Sequence, residues 1–267
     1  MIDPITRKLF QDASRHGSVV LMYHSVLPGA GSPDWPWAVS YEAFCQQLDL
    51  LAKNGWKTIR MQDLADPEKC APKTVVITFD DGYEDNYKAF EALVARDMTA
   101  SWFVVTNDIG GSSSWVDPGV NSQKILNQET LREFVNVGME VASHTCSHRR
   151  MPQLSDVELA NELSKSKQVL EDILGQEVKS FAYPYGAHDD RCVQAVLDAG
   201  YKYACTTRTG WALAGGDMLT VRRITVFAGD SLASFARKLA FATNDVGFLA
   251  LTRYYSARFR QRLFGRD

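Results

Sequence analysis

Thr74-Val75-Val76-Ile77-Thr78-Phe79-Asp80-Asp81-Gly82-Tyr83 is the stretch from which the fold can be read. Thr74 to Phe79 is an apolar run rich in β-branched residues, the pattern of a fully buried strand. It ends in two adjacent carboxylates, and a charge beside a dry core is costly unless it is paired or bound to a metal. Consecutive residues of an extended chain point to opposite sides, so Asp80 and Asp81 are expected to take different tasks. Gly82 suits a tight turn, and Glu84-Asp85 favours the start of a helix through its dipole. Alone, the stretch would read as an N-capping turn with one solvated Asp. Its partners further along the chain change that reading.

On either side, strand and helix patterns alternate. Ser18 to His24 reads as a buried strand ending in a histidine. The loop from Leu27 to Ala38 follows, and its Trp35 and Trp37 suit either a pocket wall or packing over the sheet. Ser40 is placed to cap a helix carrying Phe44, Leu48 and Leu51 on one face, stopped at Gly55. A short strand from Trp56 to Ile59, the strand from Thr74, a helix over 84–96 and a strand over 100–105 come next. Residues 107–125 read as a substrate-contacting loop. Asn127 caps a helix reaching Val137, and Met139 to Ala142 is a strand running into Ser143-His144-Thr145-Cys146-Ser147-His148. Ser155 and Glu158 form a capping box at the head of a long helix to Leu174. A strand over 179–183, a helix over 190–199, strands near 203–207 and 219–226, and a helix over 231–242 complete the series.

Such alternation predicts one α/β domain with a parallel sheet, open or closed into a barrel. His24, Asp80, Asp81, His144 and Tyr185 all fall at or just past the C-terminal ends of strands. In a parallel α/β barrel that is the face where active sites are built.

Composition narrows the partners. The chain has 267 residues, 45% hydrophobic and 23% charged, with a formal net charge of −3. A nucleic-acid-binding domain would be expected to carry a basic surface, so no nucleic-acid partner is expected. Cys45, Cys70, Cys146, Cys192 and Cys205 are scattered and odd in number, which predicts reduced thiols rather than a disulfide framework. No signal-like or membrane-spanning apolar stretch is seen, and the expectation is a cytoplasmic protein.

His144 and His148 are four residues apart, a spacing that on a helical turn puts both imidazoles on one face and lets them share a metal. Two histidines and a carboxylate leave an open coordination position, as catalytic zinc sites do. Asp81 is the natural third ligand, and Asp80 the natural base beside the attacking water. Cys146, two residues from His144, is read as a small buried residue rather than a ligand.

These residues carry a family resemblance. Thr78-Phe79-Asp80-Asp81-Gly82, His144-Thr145-Cys146-Ser147-His148 and Phe181-Ala182-Tyr183-Pro184-Tyr185-Gly186 resemble three motifs of the polysaccharide deacetylases, the NodB-homology group or carbohydrate esterase family 4. Leu21-Met22-Tyr23-His24-Ser25 is similar to the opening of one bacterial branch, so the resemblance runs from about residue 18 to about residue 240. It implies a distorted (β/α) barrel of mostly parallel strands and a metal-dependent hydrolase that removes acetyl groups from N-acetylated sugars. It implies Asp80 as general base, Asp81, His144 and His148 as ligands of a divalent metal (zinc first, cobalt or nickel as alternatives), and Tyr185 as a backbone N–H donor to the oxyanion.

Two departures from the family pattern bear on the mechanism. The family's late histidine, the general acid, has no counterpart after His188. His24 is the expected replacement, because first and last strands are neighbours in a closed barrel; His188 is a weaker candidate. The arginine that usually lies two residues before the third-motif proline is here Ala182, and Arg223 is the expected substitute, with Arg208 as an alternative.

Residues 1–247 are expected to form the catalytic domain, and 248–267 a basic amphipathic helix. In that tail Leu251, Tyr255, Phe259 and Leu263 recur every four residues amid five arginines. Packing on the barrel is one role for it; peripheral contact with anionic lipid at the inner face of a membrane is the other. The expected function is deacetylation of an amino sugar in a cell-surface polysaccharide or its precursor. A deformylase or amidase acting on a lipid-linked sugar or another amide, and an inactive glycan-binding protein, are the alternatives.

Overall fold

A computed structural model describes residues 2–13, 17–29, 33–70, 73–115 and 121–247. The tail at 248–267 lies outside the described residues. Among the described residues no helix is long and apolar enough to cross a membrane.

The main sheet is parallel throughout. Its strands are β1 (Val19–Tyr23), β4 (Lys57–Ile59), β5 (Thr74–Phe79), β6 (Ser101–Val104), β7 (Glu140–Ser143), β8 (Ser180–Ala182), β9 (Tyr203–Cys205) and β10 (Ile224–Thr225), in the spatial order β10-β1-β5-β6-β7-β8-β9. β1 runs along one edge of β5 from Val75 to Phe79, while β4 and β6 share the other edge. The predicted late strand over 219–226 is shorter than expected. Only Ile224–Thr225 pairs with β1, whereas Val221 makes a bridge back to Cys205 at the end of β9. The segment crosses from one edge strand to the other and so closes the barrel, and Arg223 leaves the ladder at the crossing, its N–H bonded to the Arg208 carbonyl at 2.9 Å.

Strand alternation divides the side chains into two cores. Val19, Leu21, Tyr23, Val75, Ile77, Phe79, Trp102 and Phe181 face the surrounding helices. Val20, Val76, Phe103, Ala142, Ala182, Cys205 and Val221 face inward and pack on one another. A period of two then puts Met22 and His24, Thr78 and Asp80, and His144 on the inner side above that plug. Parallel strands all end at one rim, so the inner-facing residues just past those ends converge.

The helices are α1 (Pro4–Asp12), α2 (Tyr41–Lys53), α3 (Tyr87–Val94), α4 (Gln128–Asn136), α5 (Asp156–Leu174), α6 (Asp190–Asp198) and α7 (Leu232–Phe241). Sequence reading missed α1, although Asp3 caps it through Thr6 and Pro4 stands in its first turn, a start signal available without the structure. It packs against α7, with Arg237 reaching Thr6 at 3.2 Å. The capping box of α5 is formed as read, and Gly175 ends that helix in the left-handed conformation at φ 67°. A second, two-stranded parallel sheet of β2 (Ser25–Leu27) and β3 (Ala38–Ser40) flanks the Trp35–Trp37 loop and was not foreseen. Three-residue strands carry too little alternation to be read from sequence.

Candidate active site

Asp80 continues the line of β5, its N–H bonded to the Tyr23 carbonyl at 2.9 Å. Asp81 does not continue it. With φ 73° it takes the left-handed conformation, and this kink, rather than simple strand alternation, separates the two carboxylates. Gly82 follows at φ 79°, in a place where a Cβ would lie 2.9 Å from a Val104 methyl.

Arg223 is fully buried, and its guanidinium grips Asp80 with two parallel hydrogen bonds of 2.6 and 2.7 Å. The same guanidinium donates to the Thr206 carbonyl at 2.9 Å and to the Thr78 hydroxyl at 3.2 Å. Burial opposes ionisation of Asp80, but the charge and hydrogen bonds of Arg223 outweigh it and hold the carboxyl below the usual carboxylate range. Ala182 belongs to the inner plug, and the arginine is supplied instead by the segment between β9 and β10. Arg208, the alternative, is exposed.

His144 and His148 meet Asp81 from β7, but not on a helix. The His144 N–H still bonds to the Val104 carbonyl, as in a ladder; then Thr145 and His148 both take left-handed conformations, at φ 68° and 57°. The expected helical turn is therefore a compact irregular turn, and the two rings converge, 4.9 Å apart, because of these two reversals rather than a helical repeat. Nδ1 of His144 bonds to the Ala182 carbonyl at 2.8 Å, which aims Nε2 into the site. His144 Nε2 and His148 Nε2 lie 3.5 and 3.2 Å from Oδ1 of Asp81. Burial pushes the His144 imidazole down to about 4, so it is neutral near pH 7 and free to act as a ligand. Burial would raise Asp81, but the hydrogen bond and charge of His148, with His24 and His144, keep it well below the usual carboxylate range.

The donor set fits a divalent ion. One ligand atom from each of Asp81, His144 and His148 lies within 4.8 Å of the others, and all three residues are buried. Two imidazoles and one carboxylate match an open, catalytic type of site.

Glu162, on α5, was not singled out from sequence, where it reads as one more polar helix residue. Its carboxylate accepts the N–H groups of Cys146 and Ser147 at 2.8 and 3.0 Å, and the Ser147 hydroxyl. From the other side, the N–H groups of Thr106 and Asn107 bond to the carbonyls of Thr145 and Cys146. The turn that spaces the two histidines is thus clamped on both flanks. Cys146 is buried, its Sγ directed at the Glu162 carbonyl.

His24 lines the same cavity of about 420 Å3 as Asp80, Asp81, His144 and His148. It packs edge-on against both Trp35 and Trp37, with ring centroids at 6.3 and 6.4 Å, and its buried Nδ1 has no hydrogen-bond partner. Both tryptophans line the cavity. Tyr185 reaches it from the turn after β8 at φ 59°, its ring 4.6 Å from that of His148. Gly186 beside it admits no side chain, since a Cβ would come within 2.2 Å of the Thr207 hydroxyl. His188, the weaker acid candidate, bonds to the Gly186 carbonyl at 2.8 Å and stacks near Tyr183; it is not among the described residues lining the cavity.

Comparisons with known proteins agree with this architecture. The family model described as polysaccharide deacetylase matches residues 68–204. YxkH of Bacillus subtilis (strain 168), named for the same family, is 28% identical over 221 residues, covering 81% of this chain and 74% of its own. A poly-beta-1,6-N-acetyl-D-glucosamine N-deacetylase of Staphylococcus aureus (strain MSSA476) is 23% identical over 62% of this chain and 60% of its own length. Among solved structures, the Streptococcus pyogenes deacetylase PplD in complex with acetate superimposes with a TM-score of 0.72 at 27% identity, covering 84% of this chain and 98% of that one.

Proposed function

This chain belongs to the polysaccharide deacetylase family, and from that membership we propose that it is a metal-dependent hydrolase removing N-acetyl groups from the amino sugars of a cell-surface polysaccharide or its precursor. The observation that carries this reading is a single cavity in which the Asp81–His144–His148 donor set adjoins an arginine-held carboxylate, Asp80. Two relatives support the substrate class: one is an N-deacetylase of an N-acetylglucosamine polymer, and the other is a deacetylase solved with acetate, the product such a reaction would release.

Asp81, His144 and His148 would hold the ion, for which we propose zinc, with cobalt or nickel able to replace it. Once bound, the ion supplies Lewis acidity to the acetyl carbonyl and acidifies the attacking water. Asp80 is ionised at neutral pH, oriented by Arg223, and keeps free lone pairs with which to accept the water's proton. The tetrahedral oxyanion accepts a hydrogen bond from the Tyr185 backbone N–H. An amine leaves poorly as an anion, so a proton must reach the nitrogen as the C–N bond breaks. His24 donates it from the aromatic wall of the cavity, leaving acetate and a free amino sugar.

The test is acetate release from a panel of N-acetylated oligosaccharides by metal-stripped protein and by protein restored with zinc or cobalt, with Asp80→Asn alongside. The expected result is metal-dependent release that disappears in the variant. Absence of both release and tight metal binding in the unsubstituted chain would overturn the reading.

A further inference from the structure

We propose that the cavity is built for an acetamido sugar that carries, or is directly linked to, an anionic group, a carboxylate or a phosphate, and that Arg150 is the residue that reads it. The inference deepens the deacetylase reading and rests on it. Arg150 is the one Lys or Arg side chain among the described residues lining the cavity. Its guanidinium sits over the Tyr185 ring, 4.2 Å from the centroid, and so is held at the mouth beside the residue that faces the reacting carbonyl in the proposed mechanism. Neighbouring Arg149 is engaged with Glu158 at 3.0 Å, whereas among the described residues Arg150 makes no ion pair.

The charge balance of the cavity points the same way. Its only carboxylates among the described lining residues are Asp80 and Asp81. Asp80 is neutralised by Arg223, and Asp81 faces the two imidazoles of the metal site. A divalent ion would more than cancel Asp81, so the loaded cavity is positive even before Arg150 is counted, and an anionic substrate is favoured. The backbone of Arg150 is anchored as well: Met151 next to it is fully buried, and the Arg150 carbonyl accepts the Gln153 N–H at 3.1 Å. A guanidinium on a fixed stem presents donors in a fork that matches carboxylate or phosphate oxygens in pairs. Trp35 and Trp37 line the same cavity and supply aromatic surface for the apolar side of a sugar, while Arg150 supplies its cation.

Three substrates of equal length test this: a neutral N-acetylglucosamine oligomer, the same oligomer bearing a carboxylate ether, and the same oligomer bearing a phosphodiester. Metal-loaded full chain is assayed for kcat/KM, and binding of the same three to Asp80→Asn is measured by calorimetry. At low salt, one anionic series should exceed the neutral one by about ten-fold in kcat/KM, carried by KM, and the advantage should shrink as salt is raised. Whichever arm wins identifies the source of the anion. Arg150→Gln should bring the anionic-to-neutral ratio close to one, and Arg150→Lys should recover part of it. Equal binding of all three oligomers, or a preference that survives Arg150→Gln, would overturn the proposal. Anion-selective binding by Asp80→Asn that depends on Arg150, with no acetate released by the unsubstituted chain, would uphold Arg150 while overturning the deacetylase reading.

Discussion

Replacing Arg223 by methionine is the sharpest perturbation this barrel offers. The side chains of Arg223 and Asp80 are 0% and 4% exposed, so neither the attraction between them nor the penalty for separating them is softened by solvent. Arg223→Met keeps most of the volume but removes both hydrogen bonds to Asp80, along with the donors to Thr206 and Thr78. A buried carboxylate left without its partner costs about 3–5 kcal/mol, against the roughly 5–15 kcal/mol total stability of such a domain. Asp80→Asn alone strands the guanidinium instead. The double variant strands neither charge, so the two losses should fall short of additivity by about 2 kcal/mol in a urea-unfolding cycle at pH 7. The native pair also sets a pH dependence. Because the Asp80 carboxyl lies below its ordinary value near 3.8, the pair's contribution is present above that pH and is lost as pH falls below it. In Arg223→Met the main group opposing burial is gone, leaving only the weaker pull of His144 and His24, so the Asp80 pKa rises and the acid limb of the kcat/KM profile moves to higher pH. A coupling under about 0.5 kcal/mol together with an unmoved acid limb would refute the assignment of Arg223 as the group that keeps Asp80 ionised.

Glu162→Ala removes the acceptor for two N–H groups of the histidine-bearing turn, and zinc affinity measured by chelator competition should fall about ten-fold or more, as for other groups that orient ligands; unchanged affinity would remove Glu162 from the site. Gly186→Ala forces a Cβ to within 2.2 Å of the Thr207 hydroxyl and 2.7 Å of its backbone nitrogen at φ 65°, so the melting transition should show a loss of at least about 2 kcal/mol, and a wild-type melting temperature would contradict it. In metal-free protein, His144 is held near 4 against an ordinary 6.5, so between these values the unfolded chain takes up a proton that the folded chain refuses. Stability should therefore decline as pH falls from 6.5 to 4, by at most about 3 kcal/mol, and His144→Asn should flatten that slope; an equal slope in the variant would place its origin elsewhere.

Much of this architecture was legible before any coordinates. The apolar β-branched run of β5, the capping box of α5 and the strand–helix alternation specify a parallel sheet, because each is a local pattern whose physics is complete within a few residues. The motif residues were legible too: Asp80, Asp81, His144, His148, His24 and Tyr185 all line one cavity. Local pattern did not disclose how they are held there. The His-x-x-x-His spacing suggested a helix, yet the rings meet through left-handed residues at 145 and 148, and that conformation is stabilised by Glu162, 15 residues beyond Ser147 on the next α-helix. The Asp80 partner, 143 residues away in sequence, was one of two arginine candidates until the crossing segment carried Arg223 into the barrel and left Arg208 exposed. Arg150 carried no signal at all in a chain with 29 Lys and Arg residues, because what distinguishes it is its position over Tyr185 at the mouth of the cavity. Sequence by itself determined the fold class and the chemical types at the rim, since burial periodicity and side-chain chemistry are properties of short segments. Tertiary structure alone decided which charges pair and which remain free, since Coulomb energies and hydrogen bonds depend on distances that only the closed barrel sets.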